Sequence, residues 1–255
     1  MENKTVIISG GCGLLGKEFA KTLYDEGYCI YVLDLPEQVK KAKWDPPYYL
    51  KYLYAVDITD EKQVKEIIEG IYDAYGINIL INCAAINPQP KEGERNRFEN
   101  YSLDRWKKTL DVNLTGSFLL SRECIKYMLK NNNEGFYGTI INIASDLGII
   151  ASDQSIYENE YKKPPDYGVS KAGLIYLTKY IAGYYRDEIK SVCLSPGSVY
   201  NGQSDRLKNN LKDRIPIGRL AQVEEYNEAI KFLCSSGSDY MQGNNLIMNG
   251  GRNIW

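Results

Sequence analysis

Only one of the chain's 22 tyrosines, Tyr167, is followed by a lysine four residues later, Lys171. On a helix that spacing puts both side chains on one face, so the ammonium can lie beside the phenol. A neighbouring cation favours phenolate and draws the phenol's pKa down towards neutrality. That would make Tyr167 a usable general acid/base. An ordinary exposed helix face would carry the same pair, so the pair needs company. The sequence has no histidine, which excludes a Ser-His-Asp triad, a Cys-His pair and His-ligated zinc. Proton chemistry here falls to Tyr, Lys, Asp, Glu, Cys or Ser.

The company lies at the ends of apolar stretches. Ser145 closes Ile141-Asn142-Ile143-Ala144, where a hydroxyl can bond a substrate oxygen. Asn113 sits in Asp111-Val112-Asn113-Leu114-Thr115-Gly116, Asn82-Cys83-Ala84-Ala85 closes another stretch, and Ser195-Pro196-Gly197 a third. Near the start, Ser9-Gly10-Gly11-Cys12-Gly13-Leu14-Leu15-Gly16 lies between a short apolar strand and a helical pattern. Glycines there let backbone N–H groups approach a pyrophosphate at the positive end of the helix. Asp34 ends the next strand, eighteen residues after Gly16. A carboxylate at that place accepts from the ribose hydroxyls of a dinucleotide and repels a 2′-phosphate. Leu35, Pro36 and Glu37 supply no cation to offset the repulsion, so NAD is preferred over NADP, with Lys40 and Lys41 the opposing sign. Asp57 either holds the adenine amino group or caps the following helix.

These residues need a frame, and strand and helix patterns alternate through the whole chain. Strands are expected at Thr5–Ile8, Tyr28–Leu33, Tyr52–Val56, Ile77–Ile81, Thr139–Ile143, Lys190–Leu194 and Asn245–Met248. Helices are expected at 14–27, 60–75, 103–131 with a bend near Gly116, 167–187 and 222–234. Continuously apolar strands alternating with helices imply an α/β fold: one doubly wound parallel sheet, Rossmann-like, covered on both faces. Residues 1–255 read as a single dinucleotide-binding and catalytic domain. The polar stretches 86–100, 146–165 and 198–216 follow strands, and loops at carboxyl ends of parallel strands build ligand sites. They are the expected substrate loops.

Composition narrows the partners. With 31 basic and 33 acidic side chains, the formal charge of -2 offers no basic field for nucleic acid. Six scattered cysteines with no C-x-x-C pair read as reduced thiols, without metal. No apolar run reaches the roughly 18 residues of a membrane helix. A cytoplasmic protein is the expectation.

Taken together and in this order, the motifs resemble the short-chain dehydrogenase/reductase family. The glycine turn is similar to T-G-x-x-x-G-x-G with Ser9 for threonine, Asn82-Cys83-Ala84-Ala85 to N-N-A-G, and Tyr167 to Lys171 to Y-x-x-x-K. Gly243 to Gly251 resembles G-x-x-x-x-x-D-G-G with Asn249 for aspartate. The resemblance implies that Tyr167 is the general acid/base and that Ser145 orients the reacting oxygen. It implies that Lys171 lowers the tyrosine pKa and holds the nicotinamide ribose, and that Asn113 fixes a water in the proton relay. It further implies a cofactor site formed by Gly10, Cys12, Gly13, Leu14, Leu15, Asp34, Asp57, Ile58, Asn82, Ala84, Pro196, Gly197 and Val199. Asn82 would also support the sheet beneath the nicotinamide. Ser145 and Tyr167 are 22 residues apart, a longer separation than is usual in the family. The added segment, Ser152 to Pro165 with Tyr157, Tyr161, Lys162 and Lys163, is either a surface insertion without a role or, from its loop position beside the catalytic pair, a contact for substrate.

Arg206, Lys208, Lys212 and Arg214 in one loop, with Lys91, Arg95, Arg97 and Arg105 in another, are expected to grip an anionic carbohydrate. A sugar phosphate or nucleotide sugar fits; solvated loop charges are the plainer reading. Gly-Leu-Leu-Gly-Lys-Glu-Phe-Ala, Ala-Ser-Asp-Gln and Tyr-Lys-Lys-Pro-Pro-Asp-Tyr resemble bacterial sugar oxidoreductases of the flagellin-modification, legionaminic-acid branch. The resemblance also implies a homodimer or homotetramer built on helices 103–131 and 167–187. A non-catalytic dinucleotide-binding module would not need Asn113, Ser145, Tyr167 and Lys171 together. A methyltransferase would not need the Tyr-Lys pair, and an extended epimerase would carry a longer C-terminal part.

Overall fold

A computed structural model describes residues 4–42, 52–87, 97–131, 135–157 and 161–254. Seven strands form one parallel sheet in the order β3-β2-β1-β4-β5-β6-β7. They are β1 (Thr5–Ser9), β2 (Cys29–Asp34), β3 (Leu53–Ala55), β4 (Ile79–Asn82), β5 (Gly138–Ile143), β6 (Ile189–Pro196) and β7 (Asn245–Met248). The residues of β1, β4, β5 and β6 are all buried, because helices cover both faces. Alternation along β1 shows the two layers. Val6 and Ile8 pack with Phe19, Leu23, Ile230 and Leu233, while Ile7 packs with Val64, Ile68 and Leu120 on the other side.

The helices are α1 (Leu14–Asp25), α2 (Pro36–Lys41), α3 (Glu61–Tyr75), α4 (Leu103–Leu110), α5 (Ser117–Met128), α6 (Pro165–Tyr185), α7 (Asp205–Lys212) and α8 (Asn227–Cys234). The expected bend in the 103–131 pattern is a π-turn at Asp111–Gly116, which separates α4 from α5. Single π-turns inside helices recur at functional sites. This one carries Asn113. A Cβ at Gly116 would sit 2.7 Å from the Ile58 side chain, so glycine lets the turn approach the loop after β3.

Two helices fall where no helix was expected. Pro at the first position starts α2, directly behind Asp34. Ser204 caps α7, inside the 198–216 stretch, by accepting from the Leu207 N–H. That helix is polar apart from Leu207 and Leu211, too few apolar positions to announce it. It holds because Leu207 and Leu211 join Ile156, Ile215 and Leu220 in a small separate core. No described helix is long and apolar enough to cross a membrane. The six cysteines are free thiols, and no metal-ligand cluster occurs among the described residues.

Candidate active site

The order of the sheet reverses between β1 and β4, where open α/β sheets leave a crevice at the carboxyl ends of the strands. A cleft of about 1600 Å³ lies there. Gly10 turns the chain at its floor with φ +66°. A Cβ at Gly10 would come within 2.5 Å of Ala84 Cα, so a side chain cannot be accommodated. The Ser9 hydroxyl accepts from the N–H groups of Cys83 and Ala84, each at 3.3 Å, and so ties the turn to the loop after β4. Gly13 is the N-cap residue of α1. Leu14, 44% exposed, stands where the motif's middle glycine belongs, a further departure from the pattern.

Asp34 locks the turn from the next strand. Its carboxylate accepts from the Cys12 N–H at 2.9 Å and from its own neighbour Leu35 at 2.8 Å. Asp57 lines the cleft, and one of its oxygens accepts from the Thr59 N–H and hydroxyl. It does not cap α3; Asp60 does, accepting from the N–H groups of Lys62 and Gln63. Ile58, Ala84, Leu15, Pro196, Gly197 and Val199 also line the cleft. Asn82 does not. Its amide donates to Ser121 at 2.9 Å and Asn142 at 2.8 Å, and Asn142 donates to Thr178, a buried network that ties the sheet to α5 and α6. The chain thus has a cradle for a dinucleotide: a glycine turn at a helix start, a carboxylate behind it, and a roomy cleft.

Ser145, Tyr167 and Lys171 come together in the same cleft. Ser145 follows β5, its hydroxyl shared among Asp146, the Leu147 N–H and the Tyr167 phenol. One turn of α6 separates Tyr167 from Lys171, whose ammonium stands 5.6 Å from the phenol ring centroid. The expected fall in the phenol's pKa does not occur in the chain by itself. Burial pushes Tyr167 up to about 12, outweighing the lowering by Ser145, with Asp146 and Cys83 adding to the rise. Burial likewise brings Lys171 down to about 8, and its ammonium donates to the Ile143 carbonyl at 2.7 Å.

Asn113 is wholly buried behind this group and touches the cleft only through its neighbours. Its Oδ1 accepts from the Ile86 N–H at 2.8 Å, and its Nδ2 donates to the Ile86 carbonyl and to Ser170 Oγ, each at 3.0 Å. It therefore clamps the loop after β4 to α6.

The three stretches expected as substrate loops each supply cleft residues: Ile86 and Asn87; Asp146, Leu147, Tyr157 and Lys163; Ser198, Val199, Asn201, Gln203 and Leu207. Residues 88–96, with Lys91 and Arg95, and residues 158–160 lie outside the described chain. The described members of the expected anion-gripping set lie outside the cleft. Arg214 bonds Asp153 at 2.8 Å, Lys208 bonds Asp205 at 2.6 Å, and Arg97 pairs with Glu99. Neither these nor Arg105, Arg206 and Lys212 line the cleft. Arg97 instead lines a second cavity, with Lys162 and Lys163. Sequence reasoning missed Asp146 and Arg252, which line the cleft as a buried pair 3.2 Å apart. Arg252 directly follows Gly250 and Gly251, and that adjacency to a recognised motif was the available signal.

The family model described as enoyl-(acyl carrier protein) reductase matches residues 14–253. The chain belongs to the short-chain dehydrogenase/reductase family. A 3-oxoacyl-[acyl-carrier-protein] reductase of Thermotoga maritima is a relative of this dehydrogenase/reductase, 29% identical over 98% of both chains. An NAD-dependent glycerol dehydrogenase of Listeria innocua is 27% identical over 99% of this chain and 94% of its own. Among solved structures, a short-chain dehydrogenase of Leptospira borgpetersenii with bound NAD+ superposes with a TM-score of 0.85. It is 30% identical, covering 100% of this chain and 94% of that one. Like its family, the protein is an NAD(P)-dependent oxidoreductase acting on alcohol and keto groups.

Proposed function

We propose that the protein is an NAD-dependent oxidoreductase for a secondary alcohol or ketone of a carbohydrate, a sugar phosphate or nucleotide sugar. The observation that carries the catalytic reading is the convergence of Ser145, Tyr167 and Lys171 in the same cleft that the glycine turn lines. When bound, the nicotinamide supplies hydride exchange. The chain's own residues manage the proton. Tyr167, protonated and in contact with the Ser145 hydroxyl, gives its proton to a carbonyl oxygen on reduction and takes it back on oxidation. Ser145 orients that oxygen. Lys171 holds the ribose and, once turned from the Ile143 carbonyl, stabilises phenolate. Asn113 acts as a positioning residue through its bonds to Ile86 and Ser170.

Asp34 supports NAD over NADP, since a 2′-phosphate would meet its charge. Support for a carbohydrate is the resemblance of three segments to sugar oxidoreductases of surface-glycan synthesis, flagellin glycosylation among them, and the glycerol dehydrogenase relative. The Thermotoga relative favours a second reading, reduction of a 3-oxoacyl thioester. Homodimers or homotetramers would bury the exposed Phe118 of α5 and Tyr176, Tyr180 and Tyr184 of α6. A panel of sugars, sugar phosphates, nucleotide sugars and 3-oxoacyl thioesters, followed by NAD(P)H absorbance, tests the reading. Turnover confined to thioesters would replace the carbohydrate assignment.

A further inference from the structure

Burying an ammonium costs several kcal/mol unless partners compensate it. Among the described residues three lysines are buried, Lys163, Lys171 and Lys190. Lys190 is satisfied by the Ser235 carbonyl, the Ser238 hydroxyl and the Asp239 carboxylate. Lys171 donates to the Ile143 carbonyl and is the lysine assigned to the nicotinamide ribose. Lys163 differs from both. Its ammonium lines the cleft, and its described hydrogen-bond partner is the neutral side-chain oxygen of Asn87. Asp166 is the counter-charge that acts on it. That carboxylate is already taken by the hydroxyls of Tyr101 and Thr109 and the Tyr167 N–H. An ammonium has three donors, so Lys163 keeps capacity for another acceptor.

The placement is built. The Lys163 N–H donates to Gln154 Oε1 at 2.7 Å, and Gln154 Nε2 donates back to the Lys163 carbonyl at 3.2 Å. This reciprocal clamp fixes the end of the long segment between Ser145 and Tyr167. It sets the ammonium 5.4 Å from the Tyr167 ring centroid. Arg252, the nearby guanidinium in the cleft, is neutralised by Asp146. Two ammonium groups therefore flank the phenol, Lys171 at 5.6 Å and Lys163 at 5.4 Å, and Lys163 is the one not assigned to the cofactor.

The geometry points to Lys163 as the residue that binds an anionic oxygen of the substrate, a carboxylate or phosphate a few bonds from the reacting carbon. This rests on the assignment of Tyr167 as the acid/base group. A reacting oxygen must lie within hydrogen-bond reach of the phenol, and Lys163 stands beside that same ring. An anion at the far end of a long substrate would not meet it.

The test is calorimetric titration of the NADH-saturated enzyme with malonate and with methyl phosphate, which separates the two anion sources. NADH occupies the pyrophosphate cradle and keeps the probes out of it. The wild type is expected to bind at least one probe, Lys163→Met to weaken it by about tenfold or more, and Lys163→Arg to retain most of the affinity. Lys163→Gln replaces the methionine variant if that one does not fold. Absence of binding of both anions, or equal binding by the methionine or glutamine variant, overturns the proposal. If NADH itself does not bind, the cofactor reading falls, and the same titration of the free protein still decides the role of Lys163.

Discussion

Asn113 and Ile86 are joined by two hydrogen bonds, one in each direction, so a side-chain amide pairs with a backbone as a neighbouring strand would. Oδ1 accepts from the N–H at 2.8 Å and Nδ2 donates to the carbonyl at 3.0 Å. The π-turn that carries Asn113 aims it at the loop after β4, and that loop borders the cleft. Asn113→Ala leaves both Ile86 groups without their partner. The expected loss is about 2–4 kcal/mol of stability, read from the urea midpoint, with kcat falling because the loop loses its anchor. An unchanged midpoint would remove Asn113 from this clamp.

Gly10 should tolerate nothing larger. At φ +66° an L side chain is strained by about 1–3 kcal/mol, before the contact with Ala84 is counted. Gly10→Ala is expected to lower the melting temperature and abolish NADH binding, measured by fluorescence titration. Retained affinity would mean that the cofactor does not sit over this turn.

Cofactor choice should follow Asp34. Asp34→Ser removes the charge while leaving a short acceptor for the Cys12 N–H. NADH affinity is expected to fall by about tenfold and NADPH affinity to rise, because the repulsion of the 2′-phosphate is gone. A variant with the wild-type preference would show that the discrimination lies elsewhere.

Much of this frame was legible in the chain because its signals are local. The glycine turn, the apolar strands, Asp34 and the Tyr167–Lys171 spacing each depend on a few neighbouring residues. What could not be read depends on distant partners. Leu207 and Leu211 look like a loop until Ile156 and Ile215 cover them. Arg214 looks available until Asp153 takes it. In the sequence Lys163 is one of several charges on an insertion, and its burial beside Tyr167 sets it apart. The phenol's pKa departs from the expectation for the same reason: spacing reveals the cation and hides the desolvation.

That desolvation has a pH signature. Burial brings Lys163 down from 10.5 to about 8. Between those values the unfolded chain binds the proton and the folded chain does not, so this group makes stability rise with pH across the window. Its contribution is complete above about 10.5 and lost as pH falls through about 8. Lys163→Met lacks this term. Relative to wild type it is expected to be more stable at pH 7 and to lose that advantage by pH 10, measured by urea midpoints at both. A variant less stable at pH 7 by the same amount as at pH 10 would contradict the buried, titrating ammonium.

The assignment of Tyr167 is tested most directly by Tyr167→Phe, which removes one oxygen from a buried ring. Turnover of the best panel substrate and NADH affinity are measured on the same preparation. The account predicts that kcat falls by about 100-fold or more while NADH affinity and melting temperature stay near wild type. A variant that keeps its kcat would contradict it, because another group would then be moving the proton.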